Sequence, residues 1–345
     1  MAKNNKLTFS PQKVAKSFLS ALPERSRSVL KKRFGLDAGS PKMTLESIGK
    51  AYKITRERVR QIENSAISSI RKSPAFTAYK NVFEELKNLM HEYGGLVHEA
   101  DFLEHLSRDK DFQNHVNFFL VLGDEFARLK EDDEFRHRWT VNKDLTDKIH
   151  ESLRALYKSL TEEDLISESE MTVRFLEHLK TLVKDVRDEE LAKRWLKLSK
   201  KIGKNNLGEW GISSSPNVKT RGIRDLAYLI LRRHGSPMHF SEVAKEITKT
   251  FGKSANVATC HNELIKDKRF VLVGRGLYAL TKWGYARGNV RDIVRSIIEK
   301  DGPQTKDEIL KKVLRERYVK ENTILVNLQN SKFFKKDKEG KYSVA

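Results

Sequence analysis

One cysteine, Cys260, stands in 345 residues, so the chain can form no intramolecular disulfide and no thiolate zinc cluster. No apolar run approaches the roughly 20 residues that span a bilayer. The opening MAKNNKLTFS has neither an apolar core nor a cleavage pattern, so a secreted or membrane-anchored protein is not expected. A Gly-Lys-Ser/Thr phosphate loop, the glycine spacing of a dinucleotide fold and His-Glu-x-x-His are all missing. What remains is a cytoplasmic composition, 38% hydrophobic and 33% charged. The length alone suits roughly two to four domains.

Charge is the first positive clue. The formal net charge is +20, and it is unevenly placed. Residues 1–74 hold 17 Lys and Arg against 5 Asp and Glu, residues 75–215 hold 22 against 28, and residues 216–345 hold 28 against 14. Two basic ends flank an acidic middle. That pattern points to two places for a polyanion and a spacer that avoids one. A membrane surface would call for a basic amphipathic helix or a lipidation signal, and neither is seen. Double-stranded DNA is therefore the expected partner.

Helical periodicity is clear in residues 1–74. In LPERSRSVLKKRFGL (22–36) an apolar stripe runs through Leu22, Val29, Leu30, Phe34 and Leu36, and residues 37–42, with Gly39 and Pro41, break the helix. Thr44 can cap a short helix from Leu45 to Ala51, residues 52–54 turn, and Thr55 can cap a longer helix running to about Arg71. Short helix, tight turn and longer helix make a helix-turn-helix. In the second helix Val59, Ile62, Ala66 and Ile70 form the buried stripe. Arg56, Glu57, Arg60 and Gln61 then face the other way, with Arg58 on a flank. Those residue types read base edges: Arg with guanine, Gln with adenine, Glu with the cytosine amino group.

The stretch FGL followed by TLESIGKAYKITRERVRQIENSAISSIRK (44–72) resembles the fourth conserved region of primary sigma factors of bacterial RNA polymerase. The resemblance covers about residues 22–72. It implies binding of the minus-35 promoter element, with Arg56, Glu57, Arg60 and Gln61 at base contacts and Thr44 and Arg58 at the phosphate backbone. Only about 20 residues precede Leu22, so the sigma region that melts promoters is expected to be absent.

Two similar units follow each other in the basic C-terminal part. In the first, DLAYLILRR, FSEVAKEITKTF and NVATCHNELIKD read as helices, then FVLV turns through Gly274, Arg275 and Gly276 into LYAL. The second repeats this as VRDIVRSIIEK, KDEILKKVL, ENTILVNLQN and FFKKDKEGKYSV. Three helices and a two-stranded wing make a winged helix. GSPMHFSEVA, RFVLVGRG and YALTKWG, within about 217–285, resemble the HARE-HTH domain of chromatin and restriction-associated proteins and of the polymerase delta subunit. The resemblance implies contact with DNA or with a protein of the transcription machinery. His261, Asn262, Lys266 and Arg275 are the candidate contacts. The middle repeats the same punctuation in VFEELKNLMHEYGG, FLEHL, VNFFLVLGDEFARL and EDDEFRHRWTV, and a weaker copy runs from Leu145 to Ile212. Acidic winged helices suit spacing or protein binding.

The expected fold is mainly α, a sigma region 4-like helix-turn-helix followed by tandem winged-helix modules with small β-wings. Its segments are 1–74, 75–143, 144–215, 216–286 and 287–345. No cofactor, metal site, small-molecule substrate or catalytic constellation is expected. His91, His98 and His105 flank a Gly94–Gly95 break, and Cys260 and His261, adjacent on a helix, point about 100° apart. The expected function is sequence-specific promoter binding and regulation of transcription together with bacterial RNA polymerase. The alternative is a delta-like accessory subunit acting mainly by protein contacts; an enzyme acting on DNA is the least supported.

Overall fold

The computed structural model describes residues 7–182 and 188–345. Seventeen helices and four small antiparallel sheets make up these residues, the mainly α fold with small wings expected from the pattern. They divide into two compact units. The first comprises residues up to 204 together with 208–213, and the second comprises 205–207 together with 214–345.

The first unit begins with α1 (Pro11–Ser20), α2 (Glu24–Phe34), α3 (Leu45–Tyr52), α4 (Arg56–Arg71) and α5 (Pro74–Ala78). A module follows with α6 (Lys80–Glu92), β1 (Leu96–His98), α7 (Glu99–Leu106), α8 (Lys110–Leu122), β2 (Ala127–Leu129) and β3 (Arg138–Thr140). Its sheet order is β1-β3-β2, with Leu96 and Ala127 both opposite Thr140. The next module has α9 (Lys143–Ser159), α10 (Glu168–Lys180), α11 (Glu189–Leu196), β4 (Ile202–Lys204) and β5 (Trp210–Ile212). Here the first strand shrinks to a bridge, in which Ile166 and Trp210 exchange backbone hydrogen bonds of 2.9 and 2.7 Å.

The second unit repeats the plan twice. Its first copy has α12 (Ile223–His234), β6 (Met238–His239), α13 (Phe240–Phe251), α14 (Val257–Lys266), β7 (Phe270–Gly274) and β8 (Leu277–Leu280). Its second has α15 (Val290–Asp301), β9 (Gln304–Thr305), α16 (Lys306–Glu316), α17 (Glu321–Leu328), β10 (Phe334–Lys336) and β11 (Lys341–Val344). The strand orders, β6-β8-β7 and β9-β11-β10, match the first module. In each three-stranded sheet the short strand between the first two helices pairs with the last strand. That closes the wing onto the helices and removes one open edge.

Apolar packing crosses the segment boundary expected at residues 74 and 75. One continuous cluster joins Phe18 and Leu30 to Ala66, Ile70, Phe83, Leu86, Phe118 and Phe119. Phe18 lies 6.2 Å from Phe83 in a stacked pair and meets Phe119 edge-on at 5.9 Å, separations at which aromatic pairs add to simple burial. α4 is thereby anchored at its C-terminal half on the neighbouring module. Its N-terminal half packs separately, through a small core of Val29, Ile48 and Val59 with Tyr52 and Ile62 against it.

Candidate nucleic-acid interface

The interface is built on how α3 and α4 meet. Thr44 caps α3, accepting a hydrogen bond from the Ser47 amide at 3.1 Å, and Thr55 caps α4 by accepting from the Arg58 amide at 3.1 Å. Each cap satisfies an orphan donor and fixes where its helix starts. Between them the chain reverses at Lys53, whose φ of 56° makes it the single non-glycine residue in the left-handed region among the described residues. The turn is tight because Gly49 has no side chain: a Cβ there would lie 2.7 Å from the Ile54 carbonyl oxygen. Ser28 Oγ and Tyr52 Oη at 2.6 Å tie the end of α3 to α2, and Arg33 bridges Glu63 at 3.3 Å and the Met43 carbonyl at 3.2 Å.

On that frame Val59 is fully buried, and Arg56, Glu57, Arg58, Arg60 and Gln61 are exposed together on the first two turns of α4. They are not independent of one another. Arg60 donates to both Glu57 carboxylate oxygens, at 2.9 and 2.6 Å, and Arg58 Nη1 donates to Gln61 Oε1 at 3.1 Å. The hydrogen bonds from Arg60 hold the Glu57 carboxyl below the usual carboxylate range. The surface is thus pre-arranged as two side-chain pairs, and Arg56 is outside both. Thr44 lies at the start of α3 with its hydroxyl 2.9 Å from Ser47 Oγ, already used by the cap.

The four candidates of the second unit are not brought together in the same way. Asn262 and Lys266 are exposed one turn apart on α14, and Arg275 is exposed at the turn between β7 and β8. His261 is half-buried, its ring stacked on Phe240 at 4.2 Å and edge-on to Tyr278 at 5.9 Å. There the ring packs against both aromatics. Beside it Val257 and Ile265, 41% and 62% exposed, continue an apolar stripe on α14, and Leu272 on β7 is 49% exposed. Pattern reading passed over this stripe because the same residues fit a core face. Cys260 is buried, and burial pushes its thiol up to about 11. That leaves it protonated and unreactive near neutral pH. No group of three metal-ligating side chains occurs among the described residues, and no described helix is long and apolar enough to cross a membrane.

Two segments of the chain match known families. Residues 18–72 match the family Sigma-70, region 4, and residues 222–283 match HARE-HTH, the ASXL and restriction endonuclease HTH domain. The RNA polymerase sigma factor RpoD of Helicobacter pylori is 52% identical over 60 residues, 17% of this chain and 9% of that protein. The sigma factor SigA of Lactococcus lactis subsp. cremoris is 51% identical over 53 residues, 15% of this chain and 14% of that protein. The chain therefore spans only a small fraction of the curated relatives it matches, and the matched part is the helix-turn-helix. Both matched families are DNA-binding, transcription-related domains rather than enzymatic ones. The chain carries a sigma-70 region 4 domain at its N-terminus and a HARE-HTH domain in its C-terminal half.

Proposed function

We propose that this protein binds promoter DNA sequence-specifically through α4 and regulates bacterial transcription in association with RNA polymerase. The observation that carries the reading is the exposed cluster Arg56, Glu57, Arg58, Arg60 and Gln61 on a capped helix within the segment that matches sigma-70 region 4. In this reading Arg56, Glu57, Arg60 and Gln61 meet base edges in the major groove, and Thr44 and Arg58 meet phosphates that fix the register. The division into five modules at 1–74, 75–143, 144–215, 216–286 and 287–345 belongs to the same reading. The acidic middle, in this reading, is a spacer or protein-binding module that does not rest on phosphate.

The HARE-HTH module is assigned to protein contact in preference to DNA contact. The observation favouring this is the apolar stripe of Val257 and Ile265 with Leu272 nearby, since exposed apolar clusters mark protein interfaces. Selection of bound sequences from a genomic library, with and without RNA polymerase, tests both assignments. Discrete hexamers protected by the full chain alone support the promoter-reading role of α4. Protection seen only with polymerase supports the delta-like accessory role. Affinity without sequence preference in either condition refutes base reading.

A further inference from the structure

In the sheet β6-β8-β7 the inner edge of β7 pairs with β8, and its outer edge faces no strand of its own module. At the wing tip that edge is nevertheless occupied. The Tyr318 amide, in the link between α16 and α17, donates to the Val273 carbonyl at 2.7 Å, and Tyr318 lies parallel to Gly274 in a single bridge. Gly274 permits the approach: a Cβ there would lie 2.7 Å from the Tyr318 carbonyl oxygen and 3.0 Å from the Tyr318 Cβ. Left-handed backbone is not what Gly274 supplies, since in this turn only Gly276 has a positive φ, of 73°. Its use is the close passage of a second chain segment.

Residues 317–319 act as a strap with three footholds. Tyr318 reaches the outer layer of the wing, where Leu277, Trp283 and Tyr285 pack on Val271, Val273 and Ala279; burial first, and then a side-chain hydrogen bond with Tyr318, raise the Tyr285 hydroxyl pKa. Val319 packs on the core of the C-terminal module. Arg317 is buried and donates to the Glu316 and Gly288 carbonyls at 3.1 Å each, and to the Ala286 carbonyl. No carboxylate of the described residues lies at ion-pair distance from it, and burial lowers its pKa against the weaker pull of Glu316. A guanidinium buried on carbonyls alone is held at a cost, because no opposite charge offsets its desolvation. The strap thus closes the tip of a five-residue strand with a single bridge and one costly anchor. A longer extended segment could replace it with more main-chain hydrogen bonds.

We propose that the outer edge of β7 is a strand-addition site closed in cis by residues 317–319, and that an extended peptide segment of a partner, with an aromatic residue in the place of Tyr318, competes with this strap. Main-chain pairing along β7 supplies the affinity in such a mode, and the apolar layer beside Val273 selects the side chain. With the strap in place the two winged helices of the second unit are tied together, and the wing tip offers no free strand edge for unintended pairing. The site lies apart from the exposed stripe of α14 and from the DNA reading, and it is measured without either.

Two variants of the full chain separate strap from site. Arg317→Met loosens the strap and leaves β7 intact, whereas Gly274→Val evicts the strap and blocks the edge for any other strand. Amide exchange at Tyr318 should be slow in the wild type and about tenfold faster in both variants, with α12 and α17 unchanged. A fluorescent peptide with the sequence of residues 315–321, RERYVKE, is the probe for strand addition. It should bind Arg317→Met about tenfold tighter than wild type, and Gly274→Val should not bind it although its strap is also released. If Arg317→Met loses protection in α15–α17, Tyr318→Pro takes its place: it deletes the bridging N–H and follows a residue already extended, at φ −139° and ψ 136°. Fast exchange at Tyr318 in the wild type overturns the proposal. So does a peptide that binds all three chains equally, or that fails to bind the strap variant at about millimolar concentration.

Discussion

Replacing Gly49 with alanine separates the geometry of the α3–α4 turn from ordinary helix propensity, because the two forecast opposite signs. Gly49 lies inside α3 with ordinary helical backbone, so an alanine there would normally stabilise by about 0.5–1 kcal/mol. The added Cβ, however, lies 2.7 Å from the Ile54 carbonyl oxygen and 3.5 Å from the Arg56 amide nitrogen, and ordinary contact begins near 3.4 Å. The Ile54 oxygen is backbone in the segment that launches α4, so it yields only if the two helices move apart, whereas the Arg56 nitrogen is already at ordinary contact distance. Forced overpacking of this kind costs about 1–3 kcal/mol. Set against the propensity gain, the net loss spans about 0–2.5 kcal/mol and is about 1 kcal/mol at the midpoints, spent in the small core of Val29, Ile48 and Val59. Hydrogen exchange of α3 and α4 amides in the full chain reads this locally, without assuming that the whole molecule unfolds in one step. Protection in those helices should fall roughly 5- to 10-fold while α12–α14 are unchanged. Unchanged or increased protection in α3 and α4 would show that the turn is not held by this contact. Lys53→Gly is the companion: it relieves a left-handed lysine at φ 56° and should leave protection level or raise it.

Glu57→Ala should relax preference at one base pair by roughly tenfold to a hundredfold while binding to unrelated DNA stays level or tightens; an unchanged preference profile over all single-base variants refutes base reading. Because Arg60 is paired to Glu57 in the free protein, Arg60→Ala should lower both preference and overall affinity and flatten the salt dependence by about one counterion. Phe18→Ala removes a fully buried ring shared by α1, α6 and α8 and should cost about 3–5 kcal/mol, loosening α4 and α8 together in exchange measurements; loosening of α1 alone would contradict the shared core. His150 is buried, accepts a hydrogen bond from Arg138 Nε at 2.9 Å and stacks on Phe135; burial first, then Arg138 and Arg154, lowers its pKa from 6.5 to about 4, against the weaker opposing pull of Asp147 and Asp132. The depressed folded value means its contribution is complete above about pH 6.5 and is lost as pH falls toward 4, roughly 3 kcal/mol over that window. His150→Gln, which keeps an acceptor for Arg138, should flatten the stability profile there, and an imidazole titrating near 6.5 by NMR would refute the assignment.

What the sequence determined by itself is what depends on near neighbours. The caps at Thr44 and Thr55, the buried stripe of Val59, Ala66 and Ile70, and the exposed set from Arg56 to Gln61 follow from hydroxyl placement and a 3.6-residue period. The wings were legible where two runs flank a glycine turn, as at Gly276 and Gly340. Strands β1, β6 and β9, two or three residues long, left no alternation to read and exist because the last strand of each wing supplies their partner. Tertiary structure alone decided that Phe18 and Ile70 join Phe83 and Phe119 in one core, since those contacts close long loops between segments whose local patterns are complete without each other. It also decided which polar residues are spent. His261, a candidate contact on α14, stacks on Phe240, and Arg138 is buried against His150. Periodicity says which side of a helix turns inward, and only the assembled neighbours determine whether a donor there finds its acceptor.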